Sequence, residues 1–182
     1  MAGSDDVLLA RHGETDDNAA GRFQGRRDPP LNETGRAQAR DLAVAVAGAG
    51  LVALYASPLA RARETAEIIS AAIGLQPVYD ERFMEADVGD WAGLLYEEVV
   101  AGSPGAFEAW RAADPSFRFP GGESVGEQAE RVAAAIADVR AAGRLPALIV
   151  CHGGTIRAAF GLGVPGDAIA NGSVHRLHGA LP

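Results

Sequence analysis

Apolar positions in this chain come as short unbroken runs separated by longer stretches in which apolar and polar residues recur at helical spacing. Val7-Leu8-Leu9-Ala10, Leu51-Val52-Ala53-Leu54-Tyr55-Ala56 and Pro146-Ala147-Leu148-Ile149-Val150-Cys151 are too short for helices and suit strands buried on both faces. Gln76-Pro77-Val78-Tyr79 reads as a short further strand at or toward a sheet edge, because proline cannot donate to a ladder. Val174-His175-Arg176-Leu177 reads as a last strand. Between these lie helix signals. Asn32-Glu33-Thr34-Gly35 opens a helix through about Val46 that Gly48 and Gly50 close. Ser57-Pro58 has the chemistry of an N-cap followed by proline at the first helical position, heading a helix to about Ala72. Ser124-Val125-Gly126-Glu127 is a capping box for a helix to about Ala142, and Thr155 to Phe160 begins another.

Alternation of buried strands with amphipathic helices predicts an α/β protein with a largely parallel sheet covered on both faces. The alternation lapses from Asp80 to Gly122. There Trp91, Phe107, Trp110, Phe117 and Phe119 mix with charges, Gly and Pro, with short helical stretches near Leu95–Ala101 and Pro104–Ala112. An excursion of this kind, at about 91–121, predicts a lid or pocket wall. Elsewhere the order is informative, because parallel strands deliver their carboxyl ends to one side of the sheet. That side receives Arg11 and His12, then Ser57 with Arg61 one turn into the next helix, then His152.

Composition narrows the partners. With 182 residues, 48% apolar and 22% charged, the chain is expected to form one domain spanning 1–182. A net charge of −8 argues against a nucleic-acid or anionic-membrane binder, so any anion has to be captured locally. The single cysteine, Cys151, excludes an internal disulfide framework and fits the cytoplasm; within its apolar run it reads as inert. Asp5 and Asp6 stand where a signal peptide would carry positive charge, and no apolar run reaches membrane-spanning length.

Two arginines and two histidines set among helix N-termini suit a dianionic phosphoryl group. Guanidinium forks match phosphate oxygens, helix N-termini add unpaired N–H groups, and a neutral imidazole nitrogen can attack phosphorus. A glycine beside each histidine is expected to let backbone approach the ligand. Taken residue by residue, plainer readings stand beside these. Glu85 could be a solvated loop carboxylate, Arg61 a partner of Glu64, and Asn18 a turn residue; Trp91 reads as core, and His175 and His178 as surface or strand residues.

In order along the chain, Arg11-His12-Gly13-Glu14-Thr15 with Asn18, Arg22-Phe23-Gln24-Gly25 through Asp28, Pro30, Leu31 and Gly35, Ser57-Pro58-Leu59-Ala60-Arg61-Ala62 with Thr65 and Ala66, Glu85 with Gly89, Trp91 and Gly93, Gly122-Glu123-Ser124, and His152-Gly153-Gly154 with Arg157 resemble the motifs of the histidine phosphatase superfamily, also called phosphoglycerate mutase-like. The resemblance implies a three-layer α/β/α sandwich. It implies His12 as a nucleophile that becomes phosphohistidine, Arg11, Arg61 and His152 as the phosphate clamp with Asn18 assisting, and Glu85 as the acid toward the leaving oxygen. Thr15, Gln24, Gly25 and Gly153 are carried over as phosphate- or substrate-binding residues, with no metal and no cofactor.

Mutases of this family carry a longer insertion and a longer C-terminal segment than this chain, which passes quickly from the Arg61 helix to Glu85 and stops soon after Leu177. A phosphatase acting on a small phosphorylated metabolite is therefore expected, with a mutase as the alternative and a homodimer as an admissible assembly. Arg26 and Arg27, if they face the cleft, would favour a second anionic group on the substrate. A metal hydrolase using His12 and His152 is disfavoured, because Arg11 and Arg61 would repel a divalent cation. A non-catalytic phospho-ligand module on the same scaffold is the remaining rival.

Overall fold

The computed structural model describes residues 5–161 and 169–177. Five strands form one sheet in the order β3-β2-β4-β1-β5, with β1 at Val7–Arg11, β2 at Ala53–Ala56, β3 at Pro77–Tyr79, β4 at Ala147–Cys151 and β5 at Val174–Leu177. The first four are mutually parallel and β5 runs antiparallel beside β1. Pro77 falls on the edge strand β3, where its missing N–H is tolerated.

Because side chains alternate across a strand, each strand feeds two cores. Val7, Leu9, Ala147, Ile149 and Cys151 face α6 (Val125–Ala141) and α7 (Gly153–Ala159), packing on Val132, Ile136, Ile156 and Phe83. Leu8, Ala10, Leu54, Leu148 and Val150 face α2 (Glu33–Ala47) and α3 (Ala60–Ile73), packing on Leu42, Val46, Ala62 and Ile69. This is the expected sandwich: helix pair, sheet, helix pair. Local chemistry sets the helix starts. The Asn32 side chain accepts from Gly35 N at 2.8 Å, and Ser124 and Glu127 complete the reciprocal capping box that opens α6.

One local expectation changes, and one element is added. The helix after β2 starts at Ala60, not at Pro58, with Leu59 as its N-cap; Ser57 is turned to another use, described below. A four-residue helix, α1 (Asp16–Ala19), follows β1 and is capped by Thr15; it is too short for periodicity to reveal.

The excursion forms a separate layer. It comprises 3₁₀ turns at Glu81–Phe83 and Gly89–Trp91, α4 (Tyr96–Gly102) and α5 (Pro104–Arg111). Its apolar cluster gathers Phe23, Val88, Trp91, Val99 and Phe119, with Phe107, Trp110 and Phe117 partly buried against it. Trp91 is a core residue of this layer. Phe23 sits at its centre, with ring centroids 4.5 Å from Tyr96, 4.9 Å from Trp110 and 5.0 Å from Trp91.

Candidate active site

Strand order brings the polar residues together. β4 lies between β1 and β2, with Arg11 opposite Cys151 and Ala56 opposite Val150. One residue beyond the strands, His12 N still donates to Cys151 O (3.0 Å) and Ser57 N to Val150 O (2.9 Å). His12, Ser57 and His152 therefore leave the sheet side by side, and the rings of His12 and His152 meet edge-on with centroids 5.1 Å apart.

The loop after β1 is held by backbone packing. A Cβ at Gly13 would lie 2.2 Å from Gly35 O, and one at Gly35 would lie 2.0 Å from Glu14 O. Gly13 is thus needed for contact with the start of α2, not for approach to a ligand as the sequence suggests. Asn171, in the segment before β5, donates Nδ2 to His12 O (3.0 Å). Arg11 Nη1 donates to Ile169 O (2.6 Å).

His12 is 2% exposed. Its Nδ1 lies 2.6 Å from Gly13 O; a carbonyl can only accept, so Nδ1 carries the hydrogen and Nε2 keeps the lone pair. Arg61 Nε donates to that Nε2 at 3.2 Å. Burial, together with the Arg61 and Arg11 cations, holds the imidazole well below the usual histidine range, so it is neutral at physiological pH. Arg61 itself is 1% exposed, with Nη1 and Nη2 donating to Arg27 O and Gly25 O, each at 2.8 Å. Burial lowers its pKa to about 10, which leaves it charged at neutral pH. It does not pair with Glu64, which takes Arg36 and the Leu31 amide instead.

His152 is fully buried, with Nε2 2.8 Å from Ser57 Oγ. Ser57 Oγ also accepts from Leu59 N at 3.3 Å. Burial and the nearby cations keep this ring neutral too. Two buried nitrogens here have no hydrogen-bond partner among the described residues, Arg11 Nε and His152 Nδ1. Unpaired buried polar atoms are costly, and the Arg11 Nε–H marks a place for an acceptor.

Glu85 faces them from the excursion. Its Oε1 accepts from Ala86 N (2.9 Å) and Gln128 Nε2 (3.0 Å), and its Oε2 accepts from Gly154 N (3.0 Å). A Cβ at Gly154 would stand 2.3 Å from Oε1, so glycine there is what lets the acid sit against the start of α7.

The cleft between floor and excursion is lined by Arg11, His12, Asn18, Arg61 and Glu85, together with Gln24 and Gly25. Asn18 Oδ1 is turned inward to Thr15 N (3.2 Å) and Asn171 Nδ2 (3.3 Å), which leaves its Nδ2 for a ligand. Thr15, His152 and Gly153 are not on the lining. Thr15 Oγ1 lies 3.0 Å from Gln24 Oε1 and holds that amide, while Gly153 packs near Arg11. Arg26 and Arg27 do not line the cleft either. Arg27 pairs with Asp17 at 3.4 Å, and Arg26 stands 4.0 Å from both Asp87 and Glu123. The lining arginine of that region is Arg22, which donates Nη1 to Gly93 O at 2.8 Å. Arg157 is also elsewhere, with its guanidinium on the Trp110 and Arg111 carbonyls that end α5. His178 lies outside the described residues.

The arrangement can take a phosphoryl group on arginine and imidazole donors, offer it a neutral ring nitrogen, and present a carboxyl from the opposite side. A family model for the histidine phosphatase superfamily, branch 1, matches residues 7–178. The chain belongs to that family. Phosphoserine phosphatase 1 of Hydrogenobacter thermophilus is 38% identical over 134 residues, 74% of this chain and 64% of that protein. A probable phosphoglycerate mutase of Photorhabdus laumondii is 37% identical over 170 residues, covering 89% and 77% of the two chains. Among solved structures, a mycobacterial glucosyl-3-phosphoglycerate phosphatase in complex with VO3 superposes with a TM-score of 0.85 at 33% identity, covering 96% of this chain and 93% of that one. Membership and phosphatase-named relatives make this chain a histidine phosphatase of the phosphoglycerate mutase-like fold. Among the described residues no cluster of three or more His, Cys, Asp or Glu is placed to hold a metal ion, and no helix is long and apolar enough to cross a membrane.

Proposed function

We propose that this histidine phosphatase hydrolyses small phosphorylated metabolites by passing the phosphoryl group through Nε2 of His12. The observation that carries the reading is a buried neutral imidazole, its lone pair at Nε2 facing Arg61, set beside two buried nitrogens without partners. In the first step the Nε2 lone pair forms the N–P bond as the ester P–O bond breaks, and the leaving oxygen takes a proton from Glu85 Oε2. Oε2 receives one N–H where Oε1 receives two, so it has room for that proton. Arg11, Arg61, His152 and Asn18 hold the equatorial oxygens, over which the developing charge spreads. In the second step water attacks phosphorus, its proton goes to Glu85, the P–N bond breaks, and phosphate leaves. His12 is then neutral again.

The leaving group faces Arg22, Tyr96, Trp110 and Phe119. Among the described residues no carboxylate is within ion-pair distance of Arg22, whereas Arg26 and Arg27 have acidic neighbours. A substrate with a second anionic group fits this wall, in keeping with the names of the phosphoserine and glucosyl-3-phosphoglycerate phosphatases among its relatives. The buried free thiol of Cys151 suits the cytoplasm.

A panel of phosphate monoesters with and without a carboxylate, assayed in chelator and with vanadate as inhibitor, tests the reading. Hydrolysis should persist in chelator, favour the carboxylate-bearing esters and leave acid-labile phosphate on the protein. Phosphate transfer between glycerate positions that outruns hydrolysis would overturn it.

A further inference from the structure

Glu85 sits in irregular backbone between two 3₁₀ turns, yet a proton donor has to be held within a fraction of an ångström of the leaving oxygen. A guanidinium inside the excursion does the holding. Arg131 Nη1 donates to Arg82 O (2.7 Å) and Met84 O (2.8 Å), and Nη2 donates to Glu85 O (3.2 Å). Its other edge forms a two-pronged pair with Glu123, Nε to Oε2 at 3.0 Å and Nη2 to Oε1 at 2.6 Å. Glu123 then grips the far side of Glu85, with Oε1 accepting from Asp87 N (2.8 Å) and its own N–H donating to Asp87 O (3.0 Å). The pair is largely shielded, the side chains being 18% and 12% exposed.

Arg131 stands one turn after Gln128 on α6, on the same helix face. One face of α6 therefore holds the carboxyl of Glu85 through Gln128 and its backbone through Arg131. A surface ion pair would have one job; this one closes a buckle across residues 82–87.

We propose that Arg131, locked by Glu123, is a positioning residue that sets the Glu85 carboxyl at the leaving-group oxygen. Neither residue lines the cleft, and their side chains are spent on each other and on the backbone of residues 82–87. The inference rests on the reading of Glu85 as the acid and can be separated from it by leaving-group dependence. Loss of proton donation matters little for a good leaving group such as 4-nitrophenolate and greatly for an alkoxide, and kcat/KM reports only steps up to leaving-group departure.

The test compares kcat/KM for aryl and alkyl phosphates in the full chain, its Glu85→Gln, Arg131→Met and Glu123→Gln variants, and the Glu85→Gln/Arg131→Met double variant. Vanadate affinity reports an intact phosphate floor. Arg131→Met should lose about 10- to 100-fold on alkyl phosphates while staying within about threefold on 4-nitrophenyl phosphate, where kcat falls instead because Glu85 no longer activates water. Glu123→Gln, which keeps shape and volume, should show a milder form of the same slope and serves if Arg131→Met does not fold. The double variant should be no worse than Glu85→Gln. If Glu85→Gln steepens the dependence but Arg131→Met and Glu123→Gln lose equally on every ester, or nothing, the positioning role is wrong. If Glu85→Gln itself loses equally on every ester, the acid assignment fails, and the positioning role with it.

Discussion

The floor of the cleft and its outer wall are built by different means. The floor hangs from three adjacent parallel strands, and its histidines and Arg61 are buried, with most of their hydrogen bonds made to backbone carbonyls and a serine hydroxyl. The wall is a thin aromatic layer in which α5 has no buried residue and α4 has one, Val99. Position on the floor comes from sheet topology; position on the wall has to be supplied by side chains reaching in from α6 and α7.

The sharpest way to break this contrast is His12→Ala, expected to abolish turnover of every ester and the acid-labile phosphoenzyme with it. Acid-stable label on a serine would refute the floor's central role. Arg61→Ala should lower kcat/KM by about 10²- to 10³-fold, equally for good and poor leaving groups, since it acts on the phosphoryl oxygens; a loss that varies with leaving group would blur floor and wall. Gly154→Ala pushes a Cβ into Glu85 Oε1 and should cost about 10- to 100-fold on alkyl phosphates alone, in the same assay.

The pH dependence of folding sharpens the contrast further. His12 and His152 are held neutral, below their unfolded value of about 6.5. Their contribution to stability is full above that pH and is lost as pH falls toward their lowered folded values, because the unfolded chain takes up the protons. Each can tilt the unfolding free energy by up to about 1.4 kcal/mol per pH unit in that window. Urea unfolding at pH 7 and 5.5 should show a smaller drop for His152→Gln than for the unaltered chain. Trp110→Ala, on the wall, should raise KM only severalfold, about 0.5–1.5 kcal/mol of lost ring contact, with vanadate affinity unchanged.

Much of the floor was legible because its residues follow apolar runs directly, and parallel topology does the rest. Arg11, His12, Arg61 and His152 were read this way, as were the edge position of β3, the helix start at Asn32 and the capping box of Ser124. The wall was not legible in the same manner. Gln128 and Arg131 look like ordinary helix residues until Glu85, more than forty positions earlier, is folded against them. Ser57 shows the opposite failure. Its local signal favours an N-cap, but its hydroxyl serves His152, ninety-five residues away, and the helix starts later. Arg26 and Arg27 share charge with Arg22, and only tertiary packing shows that the first two meet acids outside the cleft while Arg22 lines it.

The hydrogen bond from Arg61 Nε to His12 Nε2 has a consequence for chemical vulnerability. The Nε2 lone pair of His12 is occupied, and the ring is almost fully buried. An incoming anion competes for the guanidinium and frees the nitrogen as it binds. A neutral electrophile, such as an alkyl halide or an acylating agent, offers Arg61 nothing in exchange and meets a masked nitrogen. Neutral electrophiles should therefore modify His12 slowly, and substrate-like anions become the reagents that expose it to modification.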